Sequence, residues 1–215
     1  MKLISINIGK EQTLVRPGKT EQTGIFKQPV QGAVQVTWQG LPGDFIGDSK
    51  HHGGPDQAIY IYGWTDYAWW EKELGHSVQP GLFGENLTIE GLESAQFHIG
   101  DQLHIGTVIL QVTAPRIPCG TLAGRMNMPS FVRQFRQAER PGLYCRVLQE
   151  GTLQDGDTVT IEKFTGETVS LLEAMRDHYE PNLSEASIHR FLAAPIAFRM
   201  RKKKEEQLAQ LRISK

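Results

Sequence analysis

Cysteine is nearly missing from this chain: 215 residues contain only Cys119 and Cys145, and no Cys-x-x-Cys pair. That excludes a disulfide scaffold, a cysteine-built zinc module and a protein-held iron–sulfur cluster. It suits a reduced compartment, and a cytoplasmic location is the expectation. A surplus of either charge is also missing. The 23 Lys and Arg against 24 Asp and Glu leave a formal net charge of −1, so no global field draws the protein to nucleic acid or to an anionic membrane, and neither is expected as a partner. No apolar run approaches the length of a transmembrane helix. Residues 1–8 are too short and too regularly alternating for a signal peptide. No Gly-x-Gly-x-x-Gly follows a strand, so any electrons the protein uses must come from outside. What remains is an ordinary globular composition, 39% hydrophobic and 22% charged, long enough for one large domain or one domain with an appendage.

Alternation of polar and apolar residues predicts strands at 2–8, 33–39, 57–62, 85–89, 107–113 and 143–148. Two Gly-Asp turns, at Gly100-Asp101 and Gly156-Asp157, each feed a short alternating strand, and many short strands at close spacing argue for a β-barrel-like body. The stretch between the first two strands reads as a Gly- and Lys-rich connection. A helical period predicts helices at 64–74, stopped by Gly75, and at 130–138. Their aromatics read as core. After Phe164 the period becomes helical throughout. Ser170 with Glu173 forms a capping-box pattern, Asn182 or Ser184 can cap a second helix, and Pro195 suits the first turn of a third. The expected organisation is a mostly β body with flanking helices over 1–164 and a three-helix appendage over 165–215. The basic run from Arg199 to Lys204 has Glu205 and Glu206 four residues after Arg201 and Lys202, which predicts a solvated helix face.

Three patches can carry chemistry. The first is 114–120, where Pro115 and Pro118 stiffen a segment ending on Cys119, which is read as neither helix nor central strand. Arg116, three residues away, favours thiolate over thiol, the form that attacks or binds a soft metal. The alternative is a buried structural cysteine. The second lies in the polar loop 40–55 and just beyond it: Lys50, His51 and His52 beside Gly53-Gly54-Pro55-Asp56. Consecutive glycines can converge backbone N–H groups on an anion, with the lysine and histidines adding charge; the alternative is a polar turn. The third is Gly84-Glu85-Asn86, where Asn86 is either a turn residue or a ligand contact.

Taken in order, Gly24 to Val30, Gly43-Asp44 through Gly47-Asp48, His52 to Asp56, Phe83 to Leu87, Ile99-Gly100-Asp101, Arg116 to Cys119 and the helical tail resemble the MOSC-domain family, in its YiiM-like branch. The resemblance covers nearly the whole chain. It implies a β-barrel-like body that binds the molybdenum pterin cofactor. Cys119 would be the molybdenum ligand and Asn86 a pterin contact. Lys27, Lys50, His51, Gly53, Gly54 and Arg116 would face the anionic end of the cofactor. Pro118 stands where the wider family often has arginine, so that basic contact is lost or relocated to Arg116. The implied reaction is two-electron reduction of an N-hydroxylated base such as a hydroxylaminopurine, with a separate flavoprotein as electron donor. His51, His52 or Asp56 would deliver protons near neutral pH. A cofactor or persulfide carrier and a non-catalytic anion-binding module remain the alternatives.

Overall fold

The period-2 pattern of the predicted strands decides the architecture. A computed structural model describes residues 1–48 and 52–213. In chain order it contains β1 (Lys2–Ile8), β2 (Gln12–Arg16), β3 (Lys19–Thr23), β4 (Gln28–Pro29), β5 (Val34–Val36), β6 (Ile59–Gly63), α1 (Trp64–Leu74), β7 (Leu87–Glu90), β8 (Gln102–Ile105) and β9 (Val108–Pro115). It continues with α2 (Gly120–Arg125), α3 (Phe131–Ala138), β10 (Leu143–Gln149), β11 (Gly151–Leu153), β12 (Val159–Glu162), α4 (Leu171–Tyr179), α5 (Glu185–Ala193) and α6 (Phe198–Ile213). Eight strands form one sheet in the order β12-β8-β9-β10-β6-β7-β1-β4. All neighbours are antiparallel except β6 and β7, which α1 and its following loop connect as a crossover.

The sheet curls but does not close. β1 reaches the turn before β12 through a single Lys2–Thr158 bridge. Leu3 N–H donates to Asp157 O at 2.9 Å, Gly156 N–H to Leu3 O at 2.8 Å and Val159 N–H to Met1 O at 3.0 Å, and the pairing goes no further along the strands. The mostly β body with flanking helices is therefore observed, as an open curled sheet.

Strand β6 shows how one sequence feeds two cores. Ile59 and Ile61 point into an aliphatic interior with Leu3, Leu87, Leu110 and Leu143. Tyr60 and Tyr62 point the other way, into an aromatic cluster with Trp70, Phe83, Phe131 and Phe135. Successive side chains of a strand face opposite sides, so a strand covered on both faces reads as a continuous apolar run. Each such ring removed from water contributes about 1.5–3 kcal/mol. On α1 the buried apolar residues are Tyr67 and Trp70. Cys145 lies fully buried in the aliphatic interior, where it is a packing residue.

The segment read as a Gly- and Lys-rich connection contains the β2–β3 hairpin, turned by Pro17-Gly18 with Gly18 at φ +73°. It packs on α2, where a Cβ on Gly120 or Gly124 would lie 3.0 Å from Arg16 or Leu14. The strand expected over 33–39 is shorter, because Thr37 and Gly40 bridge to each other as a turn. Strand β9 extends through Ala114 and Pro115, longer than expected. Its β8 ladder has already ended at Gln111, so Pro115 has a strand partner on the β10 side alone. Only 116–119 behaves as the predicted stiff irregular segment.

The three tail helices are present, and Ser170 and Ser184 cap α4 and α5 by accepting from Glu173 N–H and Ser187 N–H. Such caps are worth about 1 kcal/mol each. Leu171, Ala174 and Phe191 join the same aliphatic interior as the sheet. The solvated-face reading of α6 needs correction. Lys204 is 1% exposed, donating to Asp177 at 2.7 Å with its ammonium 4.3 Å from the centre of the Phe191 ring. The helix packs its basic run partly inward at Arg201, Lys203 and Lys204, while Arg199, Lys202, Glu205 and Glu206 keep the exposed side expected of them.

Candidate functional site

β9 delivers the stiff segment to the surface of the aromatic cluster, and Cys119 ends it as the N-cap of α2, with extended backbone (φ −126°, ψ 169°). Burial pushes the Cys119 thiol up, but a hydrogen bond from His52 and the positive charge of Arg116 outweigh it. The Leu122 N–H also helps, short of a full cap hydrogen bond. The result is a thiol lowered to about 6. Arg116 is 4% exposed, donates to Phe83 O at 2.6 Å, and sits 4.9 Å from the centre of the Tyr60 ring. Burial opposes its charge, yet the phenols of Tyr144 and Tyr60 and the Cys119 sulfur favour it, so the guanidinium stays fixed and cationic. Its Nε has no hydrogen-bond partner among the described residues.

Cys119 lies in a wall shared by two clefts. The first is open to solvent, holds about 100 Å³ of water-accessible space, and is lined by Thr23, Gly24, Lys27, Asp44, Asn86 and Arg116, among others. The second, with about 470 Å³ of water-accessible space, lies between the Cys119 segment and helices α4 and α6. Asp48, His52, Gln57, Cys119, Thr121 and Tyr144 belong to both. Among the described residues no three His, Cys, Asp or Glu side chains converge as a metal cage. A metal at Cys119 would therefore bring most of its own ligands.

The comparisons with known proteins agree on one family. The MOSC domain family model matches residues 48–160. The chain belongs to the MOSC domain family. It is 35% identical over 191 residues to the uncharacterized protein YflK of Bacillus subtilis, covering 89% of this chain and 86% of that one. It is 28% identical over 176 residues to the protein YiiM of Escherichia coli, covering 80% and 78%. The crystal structure of YiiM from Geobacillus stearothermophilus superposes with a TM-score of 0.79 at 28% identity, covering 96% of this chain and 98% of that one. MOSC membership is consistent with a domain that binds a molybdenum cofactor.

Within this MOSC domain the residues singled out by sequence divide. Cys119, His52, Arg116, Lys27, Asn86 and Gly53 all line the first cleft. Lys27 is committed, however: its ammonium donates to both Asp44 oxygens, at 2.5 and 2.6 Å. Asn86 is committed too, donating to Asp44 Oδ2 at 2.8 Å and accepting from Tyr60 N–H at 3.0 Å. Gly53 and Gly54 both take positive φ, +70° and +84°, instead of the αR–αL alternation that aims consecutive N–H groups at an anion. Gly54 instead precedes the short 3-10 turn Pro55–Gln57, accepting from Gln57 N–H at 2.9 Å.

Asp56 faces away from both clefts. It pairs with Arg146 at 3.0 Å and accepts from the Phe198 N–H at 2.6 Å, tying the His52 loop to the start of α6. Lys50 and His51 lie outside the described residues. Sequence reasoning missed Asp44, Tyr60 and Tyr144. The Gly43-Asp44 motif named the first of these without a role, and Tyr60 and Tyr144 read only as strand aromatics.

In protein made without the cofactor, iodoacetamide is expected to label one thiol, with a rate climbing through about pH 6. At pH 7 roughly 90% of that thiol is then thiolate. Burial pushes the Cys145 thiol up, and it stays unlabelled until the chain unfolds. A labelling midpoint near the unperturbed value of about 8.5 would show that Arg116 and His52 do not stabilise the thiolate.

Proposed function

We propose that the protein is a molybdenum-cofactor-dependent reductase of N-hydroxylated bases of the hydroxylaminopurine type, drawing its electrons from a separate flavoprotein. One observation carries this reading: a low-pKa thiolate in a wall between two solvent-open clefts, so that a cofactor and a substrate can approach the sulfur from different sides. A carrier needs only the first cleft. The residues fit the group, because a partly buried thiolate lining both clefts is a soft donor and a fixed guanidinium helps hold it ionised. Bound there, the cofactor supplies the two-electron chemistry that takes oxygen from nitrogen.

The reaction balances as R–NH–OH + 2 e⁻ + 2 H⁺ → R–NH₂ + H₂O. The N–O bond breaks, nitrogen is reduced, the oxygen leaves as water, and the flavoprotein is oxidised. Within the chain, Cys119 would hold the metal, and Arg116, buried and hydrogen-bonded to Phe83 O, keeps the sulfur anionic. His52, beside the sulfur it helps keep ionised and lining both clefts, is the residue placed to pass protons. Asp56 positions the His52 loop and does not reach the reactants.

The test uses protein purified from a host that makes the cofactor. With reduced methyl viologen standing in for the flavoprotein, 6-hydroxylaminopurine should be converted to adenine in proportion to bound molybdenum. Near-stoichiometric molybdenum without reduction of any N-hydroxylated compound would overturn the reading.

A further inference from the structure

The two clefts differ in charge. In the first, Lys27 and Arg116 face Glu21, Asp44 and Asp48, which leaves no cationic surplus among the described residues. In the second, Arg16, Lys19, Arg199, Lys203 and Lys204 line the wall against Asp48 and Asp177. Lys204 is neutralised by Asp177, and Arg16 and Lys19 share the single carboxylate of Glu21. Arg199 donates to the Gly53 carbonyl at 3.1 Å and to Gln57 Oε1 at 2.8 Å. Lys203 is half-buried and has no carboxylate partner among the described residues. His178, on the same wall, is held towards its neutral form by burial and then by the Lys203 charge.

We propose that this second cleft is a phosphate-monoester subsite for the substrate, and that the preferred substrate is an N-hydroxylated nucleotide instead of the free base. The inference rests on the reductase reading for the reducible group and on the charge of the cleft for the phosphate. A substrate that meets Cys119 at the shared wall extends the rest of its body between α4 and α6. There Arg16, Lys19, Arg199 and Lys203 supply four cations against the two carboxylates of Glu21 and Asp48. Cationic donors on a phosphate make charge-assisted hydrogen bonds, and in a partly enclosed cleft these are screened less than on open surface.

The test separates the two claims by using a ligand without an N–OH group. Calorimetry on the cofactor-loaded protein should show adenosine 5′-monophosphate binding about tenfold tighter than adenosine, a gap that narrows as salt rises. Lys203→Gln should bring that ratio close to one, Lys19→Gln should reduce it, and each variant should keep its melting temperature. Equal affinity for nucleotide and nucleoside in the wild type would overturn the proposal, as would a ratio that neither variant changes. A Lys203→Gln protein that loses molybdenum while its ratio stays constant would show that the phosphate belongs to the cofactor, which also overturns it. A protein that prefers the monophosphate but reduces neither hydroxylaminopurine nor its nucleotide keeps the phosphate subsite and loses the reductase reading.

Discussion

Cys119→Ser protein, purified from a host that makes the cofactor, is expected to contain no molybdenum and to lose more than about a hundredfold of its turnover on an N-hydroxylated purine. Loss of a group that merely supports a ligand already costs 10- to 100-fold, roughly, and loss of the protein's own ligand should cost more. The substitution isolates chemistry from folding. Cys119 is the N-cap of α2, with extended backbone and Leu122 N–H three residues on. Serine is among the preferred residues at that position, and its hydroxyl accepts from the same N–H. The variant should therefore melt at or slightly above the wild-type temperature. Elemental analysis decides the matter: stoichiometric molybdenum in the serine protein would remove thiolate ligation, and no molybdenum in the wild type would remove the cofactor.

Local sequence made some of this visible and not the rest, for identifiable reasons. The bounds of β1 and α1 were legible because alternation and helical period are local, and Gly75 terminates α1 in the left-handed region at φ +72°. The reactive thiol was legible because one of its two charged partners, Arg116, lies three residues away on a stiff segment, while the stronger one, His52, comes from a distant loop. The β2–β3 hairpin was not, since its strands are polar, and their apolar contact, Leu14 on Gly124, comes from a helix 110 positions later. Lys27 and Asn86 read as ligand contacts because both occur in family motifs. Their actual partner, Asp44, lies 17 residues from one and 42 from the other. Arg199 to Lys204 misled for a related reason. Charge spacing along α6 shows which residues can pair within the helix. It does not show Asp177 waiting on α4 or the Gly53 carbonyl below.

Asp44→Ala is expected to be the most destabilising polar substitution near the site, by about 3–5 kcal/mol, because it leaves a buried cation without its partner. The Asp44 and Lys27 side chains are each only 8% exposed. The same carboxylate also accepts from Gly9 N–H at 2.8 Å and from Asn86 Nδ2 at 2.8 Å, so alanine strands three donors at once. For a chain of this size the melting temperature should fall by roughly 10 °C. Lys27→Met should cost less, since Asp44 keeps two donors. The double variant Lys27→Met/Asp44→Leu should recover much of the loss, as expected when both members of a buried pair are replaced by apolar groups. The pH dependence gives an independent check. Burial lowers the Lys27 pKa, with Asp44 the chief opposing influence, so removing Asp44 lowers it further. A lysine whose folded pKa lies below its unfolded value binds fewer protons when folded, and stability then rises with pH between the two values. Asp44→Ala should therefore regain stability as the pH is raised towards about 10, the unfolded lysine value. Chemical denaturation across that range reads the slope. A loss below about 1 kcal/mol, or a flat profile, would show that water reaches the Lys27 ammonium and that the pair does not hold the floor of the first cleft.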